Sequence, residues 1–66
     1  MTNKLKLTRT AHNLTQEELA KLAGVSRQSI HAIESGKYVP TTILALKLAR
    51  ILATSVEELF VLEVDD

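Results

Sequence analysis

The sequence predicts an all-α domain of five helices, with a small two-stranded antiparallel sheet formed by its N- and C-terminal segments. Short apolar stretches with helical spacing fill most of the 66 residues. A serine or threonine precedes most of these stretches, where its side chain can cap a helix. The last apolar stretch, residues 60–64, alternates only weakly between apolar and polar side chains, and we interpret it as a β-strand. The length predicts a single domain, residues 1–66.

The first two helices are expected over residues 4–13 and 16–23. The first has few apolar positions, among them Leu5. The second begins after Thr15, an N-cap residue, and Glu18 three residues later completes a capping box. It ends at Gly24, because a residue without a Cβ adopts the left-handed backbone at little cost. Its apolar stripe is predicted to contain Leu19 and Leu22.

The third helix follows at once, since Ser26 can cap it after a single intervening residue. At 100° per residue its side chains divide into two arcs. The arc expected to face the core contains Ile30 and Ile33. The opposite arc contains Arg27, Gln28, His31 and Ala32. Two short helices joined by so tight a turn are typical of a helix-turn-helix unit, here residues 16–35.

The spacing across this unit is specific, because each position requires its own residue type. The segments LTQEELA, GVSRQ and IESGK stand at fixed offsets. They make the chain resemble the lambda-repressor/Cro (Xre-type) helix-turn-helix DNA-binding family, from about residue 5 to residue 60. The alternative is a small helical core with no ligand. The resemblance implies a lambda-repressor-like fold and double-stranded DNA as the partner.

The exposed arc of the third helix carries side chains that can read bases. Arg27 can bind guanine through two hydrogen bonds and Gln28 can bind adenine in the same way, and both lie in the first turn. We therefore expect Arg27, Gln28, His31 and Ala32 to face the major groove. For His31 the choices are a contact to a base or phosphate, or an exposed histidine that contacts nothing.

Three further residues are expected at the DNA backbone. Lys37 and Tyr38 follow Gly36 on a short loop, and the resemblance implies that such residues clamp the sugar-phosphate chain. Gln16 can approach from the other flank, where free backbone N–H groups at a helix start favour phosphate. Contacts of this kind fix the register and read no sequence. Tyr38 could equally have a packing role.

The resemblance also implies an ion pair between Arg9 on the first helix and Glu34 on the third. Glu34 lies beside the core arc, so we expect the pair to be partly buried and structural. The alternative is a surface arginine without a partner.

The C-terminal third is expected to form a dimer interface, in a region of about residues 50–64. A fourth helix, residues 42–52, can be capped by Thr41 and is apolar on nearly all sides, and Ser55 caps a short fifth helix. The strand at residues 60–64 is expected to pair with residues 1–4. The predicted interface residues are Ile51, Leu52, Val56, Phe60 and Leu62. The alternative is that these side chains cover the core of the monomer itself.

Composition narrows the possible functions. Residues 1–38 carry six basic and three acidic side chains, and residues 39–66 carry two and five, so the positive charge lies with the helix-turn-helix. The chain has no cysteine, no signal peptide and no long apolar run, which predicts a cytoplasmic protein without disulfides or membrane spans. His12 and His31 have no partners at metal-ligand spacing, and nothing indicates catalysis, a metal, a cofactor or a small-molecule ligand.

The function predicted from these observations is a sequence-specific, homodimeric transcriptional regulator. Repression is the default expectation, since the chain has no separate module that could recruit polymerase. One alternative is an antitoxin-like protein that neutralises a partner protein and regulates its own gene through DNA. An enzyme or enzyme subunit is a third possibility, but it would need a substrate pocket, for which the chain is too small.

Overall fold

The computed structural model describes residues 1–66 and contains five helices and two short strands. The helices are α1 Leu5–Ala11, α2 Gln16–Ala23, α3 Arg27–Glu34, α4 Thr42–Ile51 and α5 Val56–Leu59. Strands β1 Thr2–Asn3 and β2 Phe60–Val61 pair antiparallel, with Thr2 opposite Val61 and Asn3 opposite Phe60. This architecture confirms the predicted all-α fold with a small two-stranded sheet.

Two elements are shorter than predicted, each for a local reason. Helix α1 ends at Ala11, and Asn13 has a φ of +58°, a left-handed conformation that stops the helix. Strand β2 ends at Val61 because the chain then turns back on itself. The backbone N–H of Glu63 donates to Asp66 Oδ2 over 2.7 Å, and Leu62 and Val64 remain exposed.

Helices α2 to α5 all begin at the predicted capping residue. In each, a hydroxyl accepts a hydrogen bond from the backbone N–H three residues later. The four caps are Thr15, Ser26, Thr41 and Ser55. The capping box at Thr15 is complete, and the N–H that Thr15 donates to the Glu18 carboxylate lowers the pKa of Glu18. At Ser55 the box is incomplete, since the Glu58 carboxylate accepts from the Thr54 hydroxyl instead.

One hydrophobic core contains buried side chains from all five helices. Its largest fully buried side chains are Leu5, Leu19, Ile30, Ile33, Leu48, Leu52 and Leu59. Buried Ala20 and Ala23 let α2 approach its neighbours closely. They also replace Leu22 in the apolar stripe of α2. The prediction for Leu22 is therefore wrong, because its side chain lies on the outer surface and is 61% exposed.

Leu52 requires a second correction. The sequence predicts it at a dimer interface, whereas its side chain is 1% exposed and packs in the core of the monomer. Leu52 is the C-cap of α4, and the positive φ of Ala53 turns the chain immediately after it. A side chain already buried in this way offers no surface to a partner. No helix of the structure is long and apolar enough to cross a membrane.

Candidate nucleic-acid interface

Helix α3 carries its predicted base-reading residues on one accessible surface. Ile30 and Ile33 are fully buried on the inner side of the helix. On the outer side, Arg27, Gln28 and His31 are exposed and together line a concavity of about 190 Å³. Two side chains with hydrogen-bond donors and an imidazole therefore share one surface, which runs from the first turn of α3 to the middle of the helix. Ala32, also on this arc, is half-buried and adds a small apolar contact.

The start of α3 is fixed by a double serine contact. The Ser26 hydroxyl accepts from the Ser29 backbone N–H over 3.1 Å, and the two hydroxyl oxygens lie 3.0 Å apart. Gly24, with a φ of +73°, provides the left-handed turn between α2 and this cap. The first turn of α3, which carries Arg27 and Gln28, is thus held in a defined orientation.

The far end of α3 is anchored by an ion pair. Arg9 Nε lies 2.6 Å from Glu34 Oε2, and Nη2 lies 3.2 Å from Oε1. The two side chains are only 9% and 4% exposed. Arg9 Nη1 also donates to the Leu14 carbonyl over 2.7 Å. Every buried side-chain nitrogen and oxygen has a hydrogen-bond partner, so the pair is buried with its polar atoms satisfied.

The side chain of Gln16 belongs to this same network. Its Nε2 donates to Glu34 Oε1 over 3.0 Å and lies 3.5 Å from His31 Nδ1. The amide nitrogen expected at the DNA backbone is therefore directed towards α3. Neither contact could be read from the sequence, since the partners are 18 and 15 residues away. The first backbone N–H groups of α2 still have no partner within the helix and keep their ability to bind an anion.

Lys37 and Tyr38 lie on an exposed loop that is firmly attached to the end of α3. The Gly36 N–H donates to the Ile33 carbonyl over 3.0 Å, and the Lys37 N–H donates to the Ala32 carbonyl over 2.9 Å. With the positive φ of Gly36, these bonds form a Schellman motif. The Lys37 side chain makes no ion pair, and Tyr38 is 42% exposed. Both side chains therefore lie on the surface next to α3 and are free to contact a ligand.

Asn3 is a contributor to this site that the sequence did not reveal. Its Nδ2 donates to the Ile33 carbonyl over 2.9 Å, and its Oδ1 accepts from the Leu5 N–H. Because Asn3 also pairs with Phe60 in the sheet, it ties the C-terminal end of α3 to the terminal strands. An asparagine just before a helix is a common cap, and this was the only feature of the sequence that could have indicated a role for Asn3.

The apolar surface of the C-terminal third differs in composition from the prediction. A groove of about 630 Å³ lies between α4 and α5, and Leu46, Ala49, Val56 and Phe60 contribute to its lining. We call it the α4–α5 groove. Ile43 and Leu46, 70% and 57% exposed, extend the apolar surface along α4. Of the predicted interface residues, Ile51, Val56 and Phe60 are half-buried and Leu62 is 77% exposed.

Comparison with known proteins identifies the family. The family model described as helix-turn-helix matches residues 5–59. The chain belongs to the helix-turn-helix family. This family comprises DNA-binding transcriptional regulators, and the predicted resemblance to its lambda-repressor/Cro (Xre-type) members is confirmed.

Several relatives of this helix-turn-helix protein match over nearly its whole length. An uncharacterised HTH-type transcriptional regulator of Methanocaldococcus jannaschii is 54% identical over 66 residues and 100% of both chains. One from Bacillus subtilis is 43% identical, covering 96% of each chain. Among solved structures, the restriction-modification controller protein C.AhdI from Aeromonas hydrophila is similar, with a TM-score of 0.80, 38% identity and 86% of each chain covered.

Proposed function

We propose that this helix-turn-helix protein is a sequence-specific repressor that binds double-stranded DNA in the cytoplasm as a homodimer on a near-palindromic operator. The observation that supports this most directly is the surface shared by Arg27, Gln28 and His31 on the exposed side of α3. A helix that enters the major groove contacts base edges with its N-terminal residues, here Arg27 and Gln28. The similarity to a restriction-modification controller protein supports a regulatory role.

Each exposed side chain of α3 is assigned its own base contact. Arg27 donates to guanine O6 and N7, and Gln28 donates to adenine N7 while accepting from N6. His31 reads a neighbouring position, and Ala32 contacts a thymine methyl group. Each well-formed bidentate pair contributes about 1–3 kcal/mol of discrimination against a wrong base. An arginine and a glutamine in the same turn therefore predict a half-site that contains adjacent guanine and adenine contacts.

Contacts to phosphate on both flanks of α3 set the register of the protein on the duplex. Lys37 supplies a point charge and Tyr38 a hydroxyl donor from the loop after Gly36. On the other flank, the backbone N–H groups around Gln16 at the start of α2 bind phosphate. The excess of basic residues in the first 38 positions favours this orientation, with the acidic C-terminal part away from the DNA.

Selection of bound sequences from random duplexes, at a stated salt concentration, tests the readout. For the wild type we expect a defined half-site. Arg27→Ala or Gln28→Ala should each lose about 1–3 kcal/mol on that site and flatten the preference at particular positions. Lys37→Ala is the matched control, because losing a phosphate contact weakens all sequences alike and reduces the salt slope by about one unit. If Arg27→Ala lowers affinity uniformly, Arg27 does not read a base.

The homodimer is proposed to form through the α4–α5 groove, which Leu46 lines, and the neighbouring Ile43. These two aliphatic side chains are largely exposed, and the groove adds Val56 from α5 and Phe60 from β2. When two copies of the chain are related by a two-fold axis through this surface, each copy covers the apolar surface of the other. That axis would separate the two α3 helices by about 34 Å, one turn of DNA, with half-sites about 10 base pairs apart.

Sedimentation at micromolar concentration tests the dimer. Leu46→Asp should yield a folded monomer that protects only one half-site, because a carboxylate would be buried at the interface. Leu7→Asp is the matched control, since Leu7 is 68% exposed on α1, and it should remain dimeric. A wild-type monomer would contradict the proposal and would leave the groove for another protein, as the antitoxin-like alternative requires.

A further inference from the structure

The side chain of Gln16 links the buried ion pair to an exposed residue of the recognition surface. Its single amide nitrogen lies 3.0 Å from Glu34 Oε1 and 3.5 Å from His31 Nδ1. Gln16 belongs to α2, whereas both partners belong to α3. One carboxamide group therefore contacts a buried structural carboxylate and a surface imidazole at the same time.

The chemistry of Glu34 determines which end of the Gln16 amide faces α3. A carboxylate paired with a guanidinium offers only acceptors, and Arg9 already donates to both of its oxygens. The carbonyl end of Gln16 would be repelled there, so the NH₂ end must face Glu34. The Glu34 side chain is 4% exposed, so water cannot take the place of this donor freely. The same NH₂ group consequently faces His31 Nδ1.

This orientation determines which nitrogen of His31 carries the proton. A neutral imidazole has one nitrogen that donates and one that accepts. Because Gln16 presents a donor, Nδ1 must accept, and the proton resides on Nε2. The remaining polar atom of the exposed ring is then a donor. His31 lines the same concavity as Arg27 and Gln28, so this donor belongs to the surface proposed to read DNA.

We propose that Gln16 is a specificity-determining positioning residue that fixes His31 as a hydrogen-bond donor. Its target is then an acceptor on a base edge in the major groove, namely guanine O6, a purine N7 or thymine O4. The amino group of cytosine is disfavoured, since two donors would meet. This inference rests on the proposed function, in which α3 enters the major groove, and it assigns Gln16 a role beyond a contact to phosphate.

The tautomer can be tested in the free protein by long-range ¹H–¹⁵N NMR of the histidine rings. For the wild type we expect the proton of His31 on Nε2. His12 serves as an internal reference, because its Nδ1 lies 2.9 Å from the Thr8 carbonyl, which only accepts. The proton of His12 is therefore expected on Nδ1. The two histidines of the chain should show opposite patterns in one spectrum.

Gln16→Glu combined with Glu34→Gln presents only an acceptor to the His31 ring, and the amide at position 34 can donate to the new carboxylate instead of repelling it. We expect a proton to appear on Nδ1 of His31 in this variant, with the signals of His12 unchanged. A wild-type His31 with its proton on Nδ1, or a His31 pattern that does not respond to Gln16→Glu combined with Glu34→Gln, would overturn the inference. This test requires no DNA, so its outcome is independent of the proposed function.

The effect on specificity is tested by selecting bound duplexes with His31→Ala, Gln16→Met and the double variant. Methionine preserves the length of the side chain but has no donor. Each single change should lower the preference at the same base position about five-fold, the contribution of one hydrogen bond. The double variant should lose no more than His31→Ala alone, because Gln16 acts through His31.

The outcomes separate the inference from the proposed function. If Gln16→Met weakens all sequences equally while His31→Ala shifts the selected base, Gln16 only supports the fold or contacts phosphate, and the inference fails alone. If His31→Ala also weakens all sequences equally, His31 donates to phosphate rather than to a base, and the inference fails again. If Arg27→Ala leaves the selected sequence unchanged as well, the proposed readout by α3 itself is wrong.

Discussion

Removal of the Glu34 carboxylate should be the most damaging single change at the end of α3. In Glu34→Ala, the hydrogen bonds from Arg9 Nε, Arg9 Nη2 and Gln16 Nε2 are lost together. The guanidinium of Arg9 keeps only the Leu14 carbonyl, at 2.7 Å. Since the Arg9 side chain is only 9% exposed, its positive charge would remain buried without a counter-ion.

The magnitude follows from this burial. Removing one partner of a buried ion pair costs about 3–5 kcal/mol, because the remaining charge is desolvated and unpaired. A domain of 66 residues has a total stability of about 3–10 kcal/mol. At about 4–8 °C per kcal/mol for a domain of this size, the melting temperature should fall by more than about 12 °C.

Thermal and urea denaturation followed by circular dichroism measure this loss. Glu17→Ala is the matched control, because Glu17 is exposed and its side chain makes no ion pair. It should cost less than about 1 kcal/mol. The double change Arg9→Met with Glu34→Leu should be far milder than Glu34→Ala, since no charge is left unpaired. The reasoning is refuted if Glu34→Ala melts within a few degrees of Glu17→Ala.

Three further predictions follow from the caps and the core. Leu52→Ala should lose about 2–5 kcal/mol in urea denaturation without changing the sedimentation of the protein, because Leu52 fills the core and not an interface. Ser26→Ala should lower the urea midpoint by the equivalent of about 0.5–2 kcal/mol and weaken DNA binding, since Ser26 holds the first turn of α3. The pKa of Glu18 is lowered in the folded state, so its ionised carboxylate stabilises the fold at pH values above its usual pKa of 4.5. This contribution is lost as the pH falls through the lower pKa of the folded state. Wild type should therefore be more stable than Glu18→Gln at neutral pH, and the difference should shrink as the pH falls below 4.5; a difference that does not change with pH would contradict this assignment.

Local signals were sufficient to predict most of the fold. Thr15, Ser26, Thr41 and Ser55 each cap the helix expected after them, because an N-cap bond spans only three residues. The periodicity of α3 correctly separated the buried Ile30 from the exposed side chains opposite to it. The prediction of the Arg9–Glu34 ion pair had a different basis, because it came from the resemblance to a family and not from residue spacing.

What the sequence determined by itself was therefore the set of helices, their order and the exposed side chains of α3, since these depend on neighbours within a few residues. Tertiary structure alone decided which leucines face the core. Leu22 and Leu52 have similar hydrophobicity, yet one is 61% exposed and the other 1%, because Ala20 and Ala23 fill the inner face of α2 while the turn at Ala53 directs Leu52 inward. Only the packing of α2 against α3 brought Gln16 to Glu34 and His31. Such contacts join residues far apart in the chain, and their geometry exists only once the core has formed.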